Sequence, residues 1–277
     1  MKTALSVVSM LFLACSSFAQ GQAPRKTKPQ STPADLEAQR QFVGVLSPDA
    51  TSTCSFNFTS GTGLTFLKFC VTKNGNITQF QSPSGIEYIN VGTVGEGYSF
   101  CDFDSRISYF DFAGYGDSGN WGPPVTTSTP TSVKVVRTTS DQIYTLTQTI
   151  IQNKALGAVK VQMALKNNTT TARHVGLLRY ADVDAQGQAL NDFDYTDNTA
   201  LAYNSEGHGL EQQEVSVTGA AYNGAFSQLI AGGPDACQPF MHVVAPLTDT
   251  DGSIFIQYDL MLGAKKSQSA ILNYKAF

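Results

Sequence analysis

The chain has 277 residues, 42% of them hydrophobic, which is ample for a core. Its formal net charge of −4 supplies no basic face for nucleic acid or anionic lipid. No segment beyond the first twenty residues is apolar for long enough to span a bilayer as a helix.

Lys2, the apolar run Ala4 to Ala14 and the small residues around Ser17 and Ala19 form a signal peptide over residues 1–19, cleaved after Ala19. That implies a secreted or periplasmic protein. A minority alternative uses Leu13-Ala14-Cys15 as a lipoprotein site, with Cys15 carrying the lipid. Residues 20–44 read as a disordered tether followed by one short N-terminal helix. Thr32 would cap that helix, Pro33 would fill its first position, and it would run to about Phe42.

Residues 45–277 read as a single all-β domain. Ser55 to Phe58 and Leu64 to Val71 form strands, and the turn Lys73-Asn74-Gly75-Asn76 leads into Ile77 to Phe80. Tyr98 to Cys101 alternates again. Gly114 to Thr131, rich in Gly, Pro, Ser and Thr, reads as a long loop. Ser132 to Thr138, Ile143 to Ile151 and Ala158 to Leu165 show β-branched residues with a period of two, and a further strand follows at His174 to Tyr180. Later strands are predicted at Gln213 to Thr218, Phe240 to Val244, Ser253 to Leu262 and Ser269 to Tyr274. Strands at this spacing with tight turns predict a large antiparallel β-sandwich.

Cys54, Cys70, Cys101 and Cys237 remain after the leader is removed. An even count in an exported chain points to two disulfides, with three pairings open. Cys54 and Cys70 flank a hairpin-like unit, which favours Cys54–Cys70 with Cys101–Cys237. No C-x-x-C pair supports structural zinc, and no G-x-S-x-G elbow supports a serine hydrolase.

The chemistry-bearing pattern lies between positions 182 and 197, where five of sixteen aspartates occur without a Lys or Arg. Asp182-x-Asp184-x-Gln186-Gly187 spaces oxygens as the opening of a calcium loop does. Asp192 and Asp194 could complete a donor set, although Phe193 stands where such a loop places a bidentate glutamate. Calcium is therefore the expected cofactor, with Asp182, Asp184, Gln186, Asp192 and Asp194 as its ligands. The competing reading is a solvated acidic loop. Glu206 and His208, two apart on the Gly-rich loop Ser205 to Gly209, are candidates for acid–base catalysis together with Asp184. Tyr109, Phe112, Tyr115 and Trp121 form an aromatic segment suited to stacking on sugar rings. The competing reading places them in the core.

Several segments resemble those of uncharacterised exported bacterial β-sandwich proteins. They include Asn74-Gly75-Asn76-Ile77, Gly95-Glu96-Gly97-Tyr98, Leu178-Arg179-Tyr180-Ala181-Asp182-Val183-Asp184 and Leu272-Asn273-Tyr274. The length and strand pattern are also similar to the galactose-mutarotase type of sandwich. That resemblance implies carbohydrate as the ligand class by analogy of architecture. The resulting expectation is a secreted, calcium-stabilised, carbohydrate-binding module. The alternatives are a glycan-acting hydrolase or epimerase, and a structural or adhesive surface protein.

Overall fold

The computed structural model describes residues 53–89, 94–217, 220–228, 236–237 and 246–277. The leader, the tether, the expected N-terminal helix and the strand expected at Phe240 to Val244 lie outside them. Every strand pair is antiparallel, and the described chain is arranged as three sheets.

The first sheet joins β1 (Phe56–Ser60), β2 (Leu67–Val71) and β3 (Ile77–Gln81). The second is formed by β4 (Gly97–Asp102), β5 (Ile107–Phe112), β6 (Gly116–Asp117), β11 (Arg173–Asp182), β15 (Ala220–Gln228) and β17 (Ser253–Leu262), in the order β15-β17-β11-β4-β5-β6. The third contains β7 (Val125–Thr129), β8 (Ser132–Thr138), β9 (Tyr144–Asn153), β10 (Ala158–Asn167) and β12 (Asn191–Tyr195). It also holds β13 (Thr199–Tyr203), β14 (Gly209–Val217), β16 (Leu247–Thr250) and β18 (Ser267–Ala276). Its order is β16-β12-β13-β14-β18-β10-β9-β8-β7.

Alternation along each strand decides which face is buried. On β9, Tyr144, Leu146, Gln148, Ile150 and Gln152 point into the sandwich, while Thr145, Thr147, Thr149 and Ile151 stay half-exposed. The nine-stranded sheet is therefore wet on one face. The six-stranded sheet is covered on both. All six residues of β4 and every residue of β11 from Val175 to Asp182 are buried. Leu177 and Ala181 join the main core between the sheets. Leu178 and Tyr180 join a second cluster with Phe110, Phe112 and Phe255 on the outer side.

Cys54 is bonded to Cys70 and Cys101 to Cys237, the pairing that the hairpin argument favours. The second bridge fastens β4 to a segment 136 residues away. Two structural disulfides accord with an oxidising extracellular or periplasmic compartment. Among the described residues no helix is long and apolar enough to cross a membrane.

The turn between β2 and β3 does not project into water as most hairpin turns do. Asn74 and Asn76 are buried, and Gly75 adopts φ 95°, a left-handed value open to glycine. The turn is lodged between the two large sheets. The loop expected over Gly114 to Thr131 also contains structure, since β6 and β7 form within it. β7 is the outermost strand of its sheet, exposed at all five residues and flanked by Pro124 and Pro130. Its Val-Thr-Thr-Ser-Thr sequence is rich in β-branched residues, and it pairs with β8 despite the flanking prolines.

Candidate functional site

Strand alternation divides the aromatic segment between two layers. Tyr109 is 0% exposed and Phe112 is 2% exposed. Tyr109 stacks on Phe100 in the main core, and Trp121 packs edge-on against Tyr98, Phe100 and Tyr109. The Trp121 indole N–H donates to the Phe110 carbonyl at 3.0 Å. Phe112 faces the opposite layer against Tyr180, and Tyr115 packs on that same side. Residues 109 and 112 differ by an odd number of positions, so one strand cannot present both on one face. Tyr109 and Phe112 are therefore core residues, and Trp121 and Tyr115 pack half-exposed against the two core layers.

Between the sheets runs a polar network that sequence reasoning did not single out. The buried Arg179 guanidinium donates to Glu96, to Gln148 Oε1 at 2.5 Å and to the Gly75 carbonyl at 3.0 Å. Glu96 also accepts the Tyr274 hydroxyl at 2.7 Å and the Ile77 amide at 2.5 Å. Arg137 donates to Asp111, and to Asp117 at 2.8 Å. Asn74 and Asn76 donate to the two Asp111 oxygens. Glu96, Asp111 and Arg179 are fully buried, so this network fixes the inserted turn and offers no ligand an approach. The available signal was a lone cation inside the apolar run Val175 to Ala181, which must be paired if buried.

The acidic segment builds the end of the sandwich. β11 carries Asp182 to the outer layer beside Tyr180, whose hydroxyl lies 2.6 Å from the Ser253 hydroxyl. Asp182 is 6% exposed, and its Oδ1 has no hydrogen-bond partner. Burial pushes its carboxyl well above the usual range, and Asp184 and Asp251 push it further. Burial and Asp251 raise Asp184 to about 6. The chain then turns through Gln186, left-handed at φ 59°, whose amide donates to the Glu87 carbonyl at 2.7 Å.

This turn holds the second candidate loop. Gln186 Oε1 accepts from Asn204 Nδ2 at 2.7 Å, and Asn204 Oδ1 accepts the backbone amides of Glu206 and His208 at 3.0 and 3.1 Å. The side chains of Glu206 and His208 make no hydrogen bond to each other or to Asp184. Glu206 points into solvent. Of the other histidines, His174 Nε2 lies 2.5 Å from Asp259 Oδ1 at the edge of β11, and His242 is outside the described residues.

A cavity of about 140 Å³ opens between β12, β16 and the 204–208 loop, lined by Gln188, Leu190, Asn191, Asp192, Ser205 and Asp249. Asn191 Nδ2 donates to the carbonyls of Val183 at 2.9 Å and Gln188 at 2.7 Å. Asp192 Oδ1 accepts the Asp249 amide at 2.8 Å. The five expected calcium ligands therefore do not surround one point. Asp182 and Asp184 lie with Asp251, Gln186 is bonded to Asn204, Asp192 lines the cavity and Asp194 is exposed. The reason is that the segment passes from one sheet to the other: Asp182 ends β11 of the six-stranded sheet, whereas Asp192 and Asp194 stand on β12 of the nine-stranded sheet. Among the described residues no three His, Cys, Asp or Glu side chains are grouped to hold a metal ion.

No protein-family model and no curated protein matches the chain in sequence. Its fold does match solved structures. A bacterial glucoamylase complexed with acarbose superposes with a TM-score of 0.54 at 10% identity, over 83% of this chain and 33% of that one. The chain thus spans about a third of the glucoamylase's length. A putative aldose 1-epimerase from Escherichia coli K12 superposes with a TM-score of 0.50 at 10% identity, over 80% of this chain and 99% of that one. At this identity the likeness establishes the antiparallel β-sandwich fold that these proteins share and nothing about activity.

Proposed function

We propose that this sandwich is an exported carbohydrate-binding module without turnover. Two similar folds belong to proteins named for sugar chemistry, a glucoamylase and a putative aldose 1-epimerase. The observation that carries the reading is the half-exposed face of the nine-stranded sheet. There Thr149 pairs with Gln162 across β9 and β10, and Asn273 is flanked by Lys160 on one side and Gln213 on the other. Hydroxyl and amide side chains in adjacent rows can both donate to and accept from sugar hydroxyls. Asn273 itself is half-exposed on this face. Binding is favoured over catalysis because Glu206, His208 and Asp184 do not form a connected acid–base set.

The test is calorimetric titration of the oxidised protein against a panel of oligosaccharides, with product analysis of the same mixtures. Saturable binding is expected without product formation, weakened at least tenfold by Gln162→Ala and Asn273→Ala. Turnover abolished by Glu206→Gln would replace this reading with the enzymatic one. Absence of both binding and turnover would leave a structural role.

A further inference from the structure

We propose that the outward face of the nine-stranded sheet binds an acidic oligosaccharide bearing uronic acid carboxylates, with Lys160 and Lys275 at its charges and Phe277 and Tyr203 against its rings. This rests on the carbohydrate-binding reading above and names the ligand class for that same face.

The net charge of −4 conceals how unevenly this sheet is charged. Strands β7, β8, β9, β10 and β18 contain no Asp or Glu. They do contain Lys134, Lys160, Lys166 and Lys275. The neighbours Val133, Val159, Leu165 and Tyr274 are buried in the core, so all four lysines share the outward face. The ion pairs among the described residues involve only Lys275 of the four, with Glu211 at 3.7 Å. The face turns acidic at β12, where Asp192 and Asp194 flank the buried Phe193. That strand lies three strand spacings from β18, about 14 Å, which exceeds the screening length of about 8 Å in physiological salt.

A pair of aromatic rings on the same face is the independent observation. Gly209 pairs with Tyr203 on one side, and on the other it exchanges backbone hydrogen bonds of 3.1 and 2.9 Å with Phe277. A Cβ on Gly209 would lie 2.3 Å from the Phe277 ring. The missing side chain lets that ring lie across β14 toward Tyr203, with the two centroids 6.4 Å apart. Phe277 is 48% exposed, Tyr203 is half-exposed, and neither belongs to a core cluster. Aromatic faces held in solvent suit stacking on the C–H faces of sugar rings. Asp192 stands beside Tyr203 and bounds the site on that side.

The register joins the rings to the cations. Lys275 is two residues from Phe277 on one face, and the next row runs Gln213, Asn273, Lys160. Ala158 pairs with Lys275, which sets Lys160 and Lys275 about 8 Å apart at the backbone. By the same reckoning Lys134 lies about 12 Å from Lys160. Each ammonium therefore stands alone as a point charge. The sheet's one arginine, Arg137, is buried, so no guanidinium fork faces outward. Single, separated charges among amide side chains suit one carboxylate per ring, with hydroxyls between, rather than a densely sulfated chain.

The experiment is calorimetric titration of the oxidised protein with hexagalacturonate and with its methyl ester, which keeps the rings and removes the charges. Saturable binding of the acid is expected, at least tenfold tighter than the ester and weakening as salt is raised. Lys160→Gln with Lys275→Gln should weaken it at least tenfold and leave the unfolding midpoint nearly unchanged, since exposed ion pairs contribute little. Phe277→Ala should weaken it at least threefold, an effect that charge attraction alone does not give. Lys68→Gln, on β2 of the three-stranded sheet, should bind as the parent does. Equal affinity for acid and ester, or full affinity in the double lysine variant, overturns this proposal and leaves the carbohydrate reading standing. Absence of binding to these and to every neutral oligosaccharide overturns both. Tighter binding to phosphatidylserine vesicles than to hexagalacturonate, unaffected by Phe277→Ala, makes the face a lipid-binding surface and also overturns the proposal.

Discussion

Arg179 shows how much a single residue carries here. It is fully buried, and Glu96, Gln148 and the Gly75 carbonyl all depend on it. Arg179→Met would leave the buried Glu96 carboxylate without its countercharge and two acceptors without donors, so a loss of about 3–5 kcal/mol is expected in urea unfolding. A loss below about 1 kcal/mol would show that the network does not hold the inserted turn. Asp184 sets a pH dependence. Its folded carboxyl titrates at about 6 against an ordinary value of 3.8. The folded state therefore keeps this proton to higher pH than the unfolded chain. The stability it confers is complete below about pH 4 and is lost as pH rises through 6. In chelator that loss should be on the order of 1–2 kcal/mol after allowance for part exposure, and Asp184→Asn should flatten the curve. Asp182, raised by the same causes, extends the decline to higher pH. The sequence showed that the aspartates were crowded without countercharge. It could not show that Asp251, far along the chain, completes the repulsion.

At the scale of elements, the β2–β3 turn is the unusual one. Tyr98 and Gln148 both donate to the Asn74 carbonyl at 3.2 Å, and a Cβ on Gly75 would meet Gln148 Nε2 at 2.5 Å. Gly75→Ala is expected to cost about 2–3 kcal/mol, combining positive-φ strain with displacement of a held side chain. Gly85→Ala, at φ 88° with open space around it, should cost about 1 kcal/mol from the backbone alone. Equal costs at the two sites would mean that the turn is not packed as described. Asn-Gly announced this turn in the sequence, but nothing local announced that it would be buried. Strands with strong alternation were legible, and β8 and β17 begin and end where expected. β12 was missed because three of its residues, Asn191, Asp192 and Asp194, have low strand propensity, and pairing to β13 overrides it.

For the whole molecule, the all-β antiparallel sandwich was legible because period-two patterns persist from Ser132 to Leu165. The allocation of strands to sheets was not, because β14 pairs with β18 and β10 with β18 across long stretches of chain. The two bridges act over different ranges. Cys54–Cys70 spans 16 residues and Cys101–Cys237 spans 136. Removing the longer pair by Cys101→Ala with Cys237→Ala is expected to cost about 4–5 kcal/mol, against about 3 kcal/mol for the shorter, measured by thermal unfolding. The reverse order would show that the unfolded chain is already compact around the second bridge. The proline-flanked strand β7 bears on how copies of the molecule behave when crowded. A neighbour adding itself to that margin could register over five residues before meeting Pro124 or Pro130, neither of which can donate a backbone hydrogen bond. The opposite margin, β16, has four residues, and β6 has two. At these three margins, unlike the nine-residue edge strand β15, little strand is offered for fibre growth by strand addition.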